Sequence, residues 1–436
     1  TENKDLPMGK VVDKFGKTIY KLAPQHPQIV RGLLNAAYKA DGLKSRVAPN
    51  RPLLPSKRYL YHLTASSICR GYGHDGTAAL VNIFLPCQVL HAMGIEPVVA
   101  EGISCYLTGA AAESYFLEIA ERNGIPETLC SYHRILIGCI EAGVLPRPAL
   151  IINTTYACDT NQLSFRRIAE YYDIPQYVVD VPDKSTEDNL RYVADQLREM
   201  TAFIERHTGK KLDDDALRQS MLWTQQALES YRTYLEARAT RYLDTCMTSE
   251  MMDILATQVL LGKQEVAKYM ATLAADLARL PEGRRGPRLF WVHVLPNVNA
   301  PLRQLLDYNG NVEIVGCDLN TAVLIDVDPA KPYESMARRI LESSFNGMIE
   351  NRVENSYRYA CRLNADGIVY FCHWGCRHTL GGSQYAKDYF EQRGMPTLVL
   401  DGDGCDRGCS GDGRAAVRLQ AFLEQLGYNA GKEFRA

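Results

Sequence analysis

The sequence predicts an α/β protein built from two doubly wound parallel-sheet domains with a helical segment between them. Three observations carry this. Short apolar, β-branched runs alternate with helical stretches of ten or more residues, as in parallel sheets covered on both faces. The alternation stops near Ser185 and resumes after Leu280. At 436 residues the chain also exceeds what one hydrophobic core usually serves.

Taken in order, residues 1–57 form a basic lead-in punctuated by proline and ending at Pro49-Asn-Arg-Pro-Leu-Leu-Pro55. Residues 58–184 form the first α/β domain, with strands expected at Arg58–Leu63, Glu96–Ala100, Ala149–Asn153 and Gln176–Val181 and helices near 79–93, 110–123, 133–143 and 161–173. From 185 to 283 the apolar positions recur at helical spacing, as in Leu190, Val193, Ala194, Leu197 and Met200, with no proline between Pro182 and Pro281. Glu282-Gly-Arg-Arg-Gly-Pro287 marks a linker. The second α/β domain, 284–436, has strands expected at Arg288–Val294, Val312–Val315, Gly367–Phe371 and Thr397–Leu400, with helices at 300–307, 333–344, 382–393 and 413–426. This suggests an architectural duplication without a sequence repeat.

Composition narrows the partners. A formal net charge of −2 and the lack of any Lys/Arg block favour neither nucleic acid nor an anionic membrane. Residues 1–30 have no apolar segment of signal type, and no apolar run reaches the ~20 residues that span a bilayer, so a cytoplasmic, reducing location is expected. There, thirteen cysteines point to metal or redox chemistry rather than to disulfides.

Their placement sharpens this. Tyr370-Phe-Cys-His-Trp-Gly-Cys-Arg-His378 and Asp401-Gly-Asp-Gly-Cys-Asp-Arg-Gly-Cys409 each follow an expected strand, where open α/β sheets assemble their sites. Cys69, within Ser66-Ser-Ile-Cys-Arg-Gly-Tyr-Gly73, is expected in the loop after the first strand, Cys105 after the second and Cys158 after the third, while Cys130 opens a helix, where exposed backbone N–H groups favour a thiolate. The candidate ligands are Cys69, Cys105, Cys130, Cys372, Cys376 and Cys405, with Cys158, Cys317 and Cys409 as possible replacements. Cys87, Cys139, Cys246 and Cys361 fall in apolar or helical stretches and read as packing residues. Zinc would use four ligands and leave too many rim thiols unexplained, whereas iron and sulfide suit thiols gathered from two domains.

The pattern Cys130-Ser-Tyr-His-Arg134 with Gly138, then Cys158-Asp159, Cys-His-Trp-Gly-Cys376 and Asp401-Gly-Asp-Gly-Cys-Asp-Arg407 resembles the 2-hydroxyacyl-CoA dehydratase and benzoyl-CoA reductase superfamily over roughly residues 58–430. It is most similar to the double-cubane cluster proteins, anaerobic reductases carrying two [4Fe–4S] cubanes joined by sulfide, written [8Fe–9S]. The resemblance implies two flavodoxin-like domains, a homodimer, and a separate ATP-hydrolysing [4Fe–4S] activator as electron donor. Cys105, Cys130 and Cys372 match the three ligands of a single cubane, and Cys69, Cys376 and Cys405 supply the surplus that two would need. His373, His378 and Arg407 are candidate catalytic residues, as sources of protons or positive charge beside the cluster.

The expected function is therefore reduction of a small unsaturated molecule by low-potential electrons. The runner-up is a 2-hydroxyacyl-CoA dehydratase subunit with one cubane, and a third reading is a non-catalytic electron-transfer or zinc-binding protein. Gly381-Gly-Ser and Gly402-Asp-Gly are too short for a phosphate loop and lack its lysine, which assigns ATP hydrolysis to the partner.

Overall fold

The computed structural model describes residues 7–47, 53–71, 73, 75–409 and 413–428. Two four-stranded sheets, all parallel, form its two halves. The first comprises β1 (Ala78–Val81), β2 (Glu96–Val99), β3 (Leu150–Thr154) and β4 (Gln176–Val179), in the order β2-β1-β3-β4. The second comprises β5 (Arg288–Val292), β6 (Glu313–Cys317), β7 (Gly367–His373) and β8 (Thr397–Gly402), in the order β6-β5-β7-β8. The two orders are the same, so the duplication lies in topology. Each is the beginning of the flavodoxin-like order, with its switch point between the two central strands.

Burial explains the strand sequences. The central strands β1, β3, β5 and β7 are buried along their whole length and are mostly apolar, with Asn153, Thr154, Arg288 and His373 as polar exceptions at strand ends, while edge strand β2 alternates half-buried and buried residues. Helices Glu187–Thr208, Asp214–Arg238, Met247–Thr257 and Gln264–Ala278 form the expected helical segment. The first packs on both β4 and the helix Pro332–Leu341, so the segment joins the halves. Arg238 and Arg288 both pair with buried Glu313, the latter at 2.9 Å, which ties this segment to the second sheet.

Two expectations fail near the start of the first sheet. Arg58–Leu63 is no strand but part of the helix Pro55–Gly71, which buries Leu60, Leu63, Thr64 and Ser67 at helical spacing and begins with proline at its first position. Residues 79–93 are no single helix. Ala78–Val81 is the strand β1, and only Gln88–Ala92 is helical. Four buried apolar residues cannot be assigned by periodicity, and the alanines weigh toward helix. Helices Pro7–Leu22 and Pro27–Val47 occupy the lead-in, and helices Ala100–Gly109 and Ile349–Arg362 were not anticipated.

Candidate metal centre

The carboxyl ends of β7 and β8 meet the amino end of the helix Ser131–Glu141, whose cap is Cys130. Gly375 makes this approach possible. Its φ is +78°, and a Cβ there would stand 2.5 Å from the Cys130 nitrogen and 2.7 Å from its Cα. Only glycine fits such a backbone against a neighbouring main chain.

Two-residue alternation then sorts the end of β7. His373 faces Cys130, with Nε2 3.2 Å from its Sγ. Its Nδ1 accepts the Gly404 N–H at 3.0 Å, so the ring proton sits on Nε2 and points at sulfur. Burial holds the imidazole below its usual range, and the Arg134 charge acts the same way against Asp403. Cys372 faces the opposite side, with Sγ 3.8 Å from the Thr379 carbonyl that also accepts from Tyr370 at 3.2 Å. Burial pushes its thiol up to about 11.

The Asp401–Cys409 loop is held by Asp403, a residue the sequence reading passed over. One carboxylate oxygen accepts from Ser131 Oγ at 2.7 Å and from the N–H groups of Cys405 and Asp406, each at 2.8 Å. Cys405 is thereby fixed against the first half, where its thiol meets Thr108 Oγ1 at 3.1 Å and hydrogen-bonds Cys105. Arg407 donates to the Thr108 carbonyl and pairs with Glu113 at 3.4 Å. It acts as a tether between the halves.

The thiols fall into two groups. Burial raises Cys130 well above the usual thiol range, with Cys158 and Cys376 the next contributors, so these three share one neighbourhood and Cys372 adjoins Cys376. Cys105 and Cys405 form the other, and the ring of Tyr38 has both Cys105 and Cys69 as neighbours. Between the groups stands buried Tyr132, whose electrostatic neighbours are Cys105, Cys405, Asp403 and Cys130. Two placements differ from expectation. Cys69 lies in the last turn of the helix Pro55–Gly71 rather than in a loop, with Sγ 3.7 Å from the Asn35 carbonyl. Cys105 is inside the helix Ala100–Gly109, because the chain turns helical directly after β2.

Cys158 caps the helix Asp159–Tyr172, and burial takes it to about 12. Cys317 is buried at the end of β6, its thiol directed at the His293 carbonyl at 3.3 Å. Exposed Cys409 turns toward Asp406, 3.4 Å away. Among the described residues no three His, Cys, Asp or Glu side chains converge closely enough to hold a single metal ion.

A buried polar string runs from this centre. His293, just beyond β5, has φ +80°, a left-handed conformation rare outside glycine. Its N–H donates to Asp318 at 2.7 Å, and the other Asp318 oxygen accepts from Arg352 Nε at 2.7 Å. Arg352 also donates to Nδ1 of His378 at 2.7 Å and Nδ1 of His293 at 3.4 Å, and the rings of His293 and His373 stand 6.3 Å apart. Burial followed by the Arg352 charge holds His378 to about 4. A histidine at a strand's carboxyl end was the available sequence signal for His293.

Residues 82–426 match the family described as 2-hydroxyglutaryl-CoA dehydratase, D-component. The chain is 22% identical to lactoyl-CoA dehydratase subunit alpha of Anaerotignum propionicum, over 79% of this chain and 89% of that protein. It is 21% identical to the (R)-phenyllactyl-CoA dehydratase alpha subunit of Clostridium sporogenes, over 78% and 87%. With (R)-2-hydroxyglutaryl-CoA dehydratase, subunit alpha, of Acidaminococcus fermentans it shares 22% identity over 66% and 62%. The matched span contains the second sheet, the strands β2, β3 and β4 of the first, and every candidate ligand except Cys69, and the chain belongs to the 2-hydroxyacyl-CoA dehydratase superfamily.

Proposed function

We propose that the chain is an iron–sulfur reductase whose interdomain thiols hold a double-cubane [8Fe–9S] cluster. The supporting observation is the division of the thiols into two groups on either side of Tyr132, more than one cubane uses. Cys130 and Cys376 would serve one cubane, completed by Cys158 beside Cys130 or by Cys372 from the other side of β7, and Cys69, Cys105 and Cys405 the other. Such a cluster supplies single electrons at low potential. The chain's own residues prepare its surroundings. His373 directs Nε2–H at Cys130, and Arg352 keeps both Nδ1 atoms of His293 and His378 as acceptors, so a proton given by either ring leaves from Nε2. Low-potential electrons would come from a separate ATP-hydrolysing [4Fe–4S] activator, and the working unit would be a homodimer.

A second reading is favoured by the relatives, which are named as dehydratase alpha subunits. In it, Cys105, Cys130 and Cys372 hold one cubane and the product is an unsaturated acyl-CoA. The test is turnover of small unsaturated compounds and of 2-hydroxyacyl-CoA thioesters, each with activator and ATP, with activator alone, and without activator. Reduction that needs both activator and ATP supports the proposal. Dehydration of the thioesters without net reduction supports the second reading.

A further inference from the structure

His373 is 1% exposed, and its Nε2 stands 3.2 Å from the Sγ of Cys130. The Gly404 N–H fills Nδ1 at 3.0 Å. The Asp403 carboxylate stays 4.0 Å from that nitrogen and is already occupied by Ser131, Cys405 and Asp406. An amide N–H offers only a hydrogen, so Nδ1 carries the lone pair and Nε2 the ring proton. The ring is held in this orientation. Its neighbour Tyr132 meets it edge-on, with centroids 5.2 Å apart at 71°, and a ring flip would set a C–H against the Gly404 N–H and strand it. The backbone N–H of Tyr132, in the first turn of the helix Ser131–Glu141, hydrogen-bonds the same sulfur. Cys130 therefore receives one N–H from its own helix start and a second from the end of β7 in the other half of the molecule.

We propose that His373 is a positioning residue that sets the reduction potential of the cluster at Cys130, as a fixed N–H donor to the ligand sulfur and not as the acid that protonates substrate. Two features of the geometry exclude the acid role. A second proton on Nδ1 would point at the Gly404 N–H, hydrogen against hydrogen, so the ring stays neutral. A neutral ring that gave up its Nε2 proton would leave an anion facing sulfur in a buried site, which is strongly unfavourable. What the N–H does is electrostatic. Reduction puts more negative charge on the ligand sulfurs, so a hydrogen bond to one of them favours the reduced state and raises the potential. Because Gly404 belongs to the loop that carries Cys405, closure of the two halves fixes the tautomer and with it the potential. That a cluster sits at Cys130 rests on the two readings above, which share this ligand.

The test is a redox titration of anaerobically purified, iron-loaded protein followed by EPR, in wild type, His373→Phe and His373→Gln. Phenylalanine keeps a ring beside Tyr132 and removes the N–H, while glutamine offers an amide N–H where Nε2 was. At a fixed poise the ratio of reduced to oxidised cluster should fall about tenfold in His373→Phe, a midpoint lower by about 59 mV for one electron. His373→Gln should recover most of that shift. A packing role alone would lower stability or iron content and leave the midpoint of the retained cluster unchanged. Pulsed ENDOR of the reduced wild type, with ¹⁵N-labelled histidine, should show a histidine nitrogen coupling and a proton coupling that is lost after preparation in D2O. Should His373→Phe fail to fold or to load iron, these wild-type couplings decide, and their absence overturns the proposal. An unchanged midpoint in His373→Phe, or an equal fall in His373→Gln, also overturns it. Iron and sulfide are measured on the same samples. About four irons with the shift intact keeps the role of His373 and defeats the double cubane, about eight irons without the shift does the reverse, and protein without iron overturns both.

Discussion

The two sheets deliver their thiols differently. The second presents Cys372, Cys376 and Cys405 from the ends of β7 and β8, within two contiguous motifs. The first presents Cys69, Cys105, Cys130 and Cys158 from helices: one in a last turn, one mid-helix and two at caps. Strand ends fix direction through alternation, so Cys372 and His373 necessarily face opposite ways. Helix caps fix position through the packing of the whole helix. The proposed site is thus built by local sequence on one side and by tertiary packing on the other.

The strongest way to break this comparison uses two cysteines of one helix. Cys130→Ser should lose iron and activity together, with activity down at least ~100-fold by loss of a metal ligand. Cys139→Ser, fully buried within the same helix, should keep its iron and lower stability by only about 1 kcal/mol. Equal iron loss in both would mean that the helix, not the thiol, matters. Gly375→Ala comes next. The clash with the Cys130 backbone and the left-handed φ should cost about 3 kcal/mol in urea unfolding, with iron falling in parallel.

Asp403→Ala probes the loop on the second side. It strands the buried Cys405 N–H, the half-buried Asp406 N–H and the Ser131 hydroxyl, which should cost about 2 kcal/mol and loosen Cys405 before Cys372. Thiol alkylation of the iron-free variant, mapped by mass, reads the order. Modification of Cys372 first would contradict the proposed division.

The smallest effect lies far from the thiols. His91 donates from Nε2 to the Val259 carbonyl at 2.8 Å, while its buried Nδ1 has no partner, and burial holds it to about 3. The unfolded chain binds its proton near pH 6.5 and the folded chain does not, so stability falls as pH drops below that value. This one residue should remove about 1 kcal/mol between pH 7 and 5.5. His91→Gln should remove that share of the acid sensitivity. An unchanged pH slope would show that His91 is protonated in the fold.

Much of this was legible in the sequence. The second sheet, β2, β3, β4 and the helical segment were readable because buried strands and helical spacing leave different periods. Tyr-Leu-Tyr-His-Leu63 misleads because its aromatic and apolar residues mimic a strand, and only Pro55 signals a helix start. The motif thiols were visible for the same reason their strands were. Asp403 and Arg352 were not, because their significance comes from partners far along the chain.

Iron and acid-labile sulfide per chain, measured on anaerobically purified protein beside its EPR spectrum, test most directly whether the interdomain thiols hold two joined cubanes. About eight irons and about nine sulfides are expected. About four of each would establish the single-cubane dehydratase instead, and stoichiometric zinc without iron would contradict both.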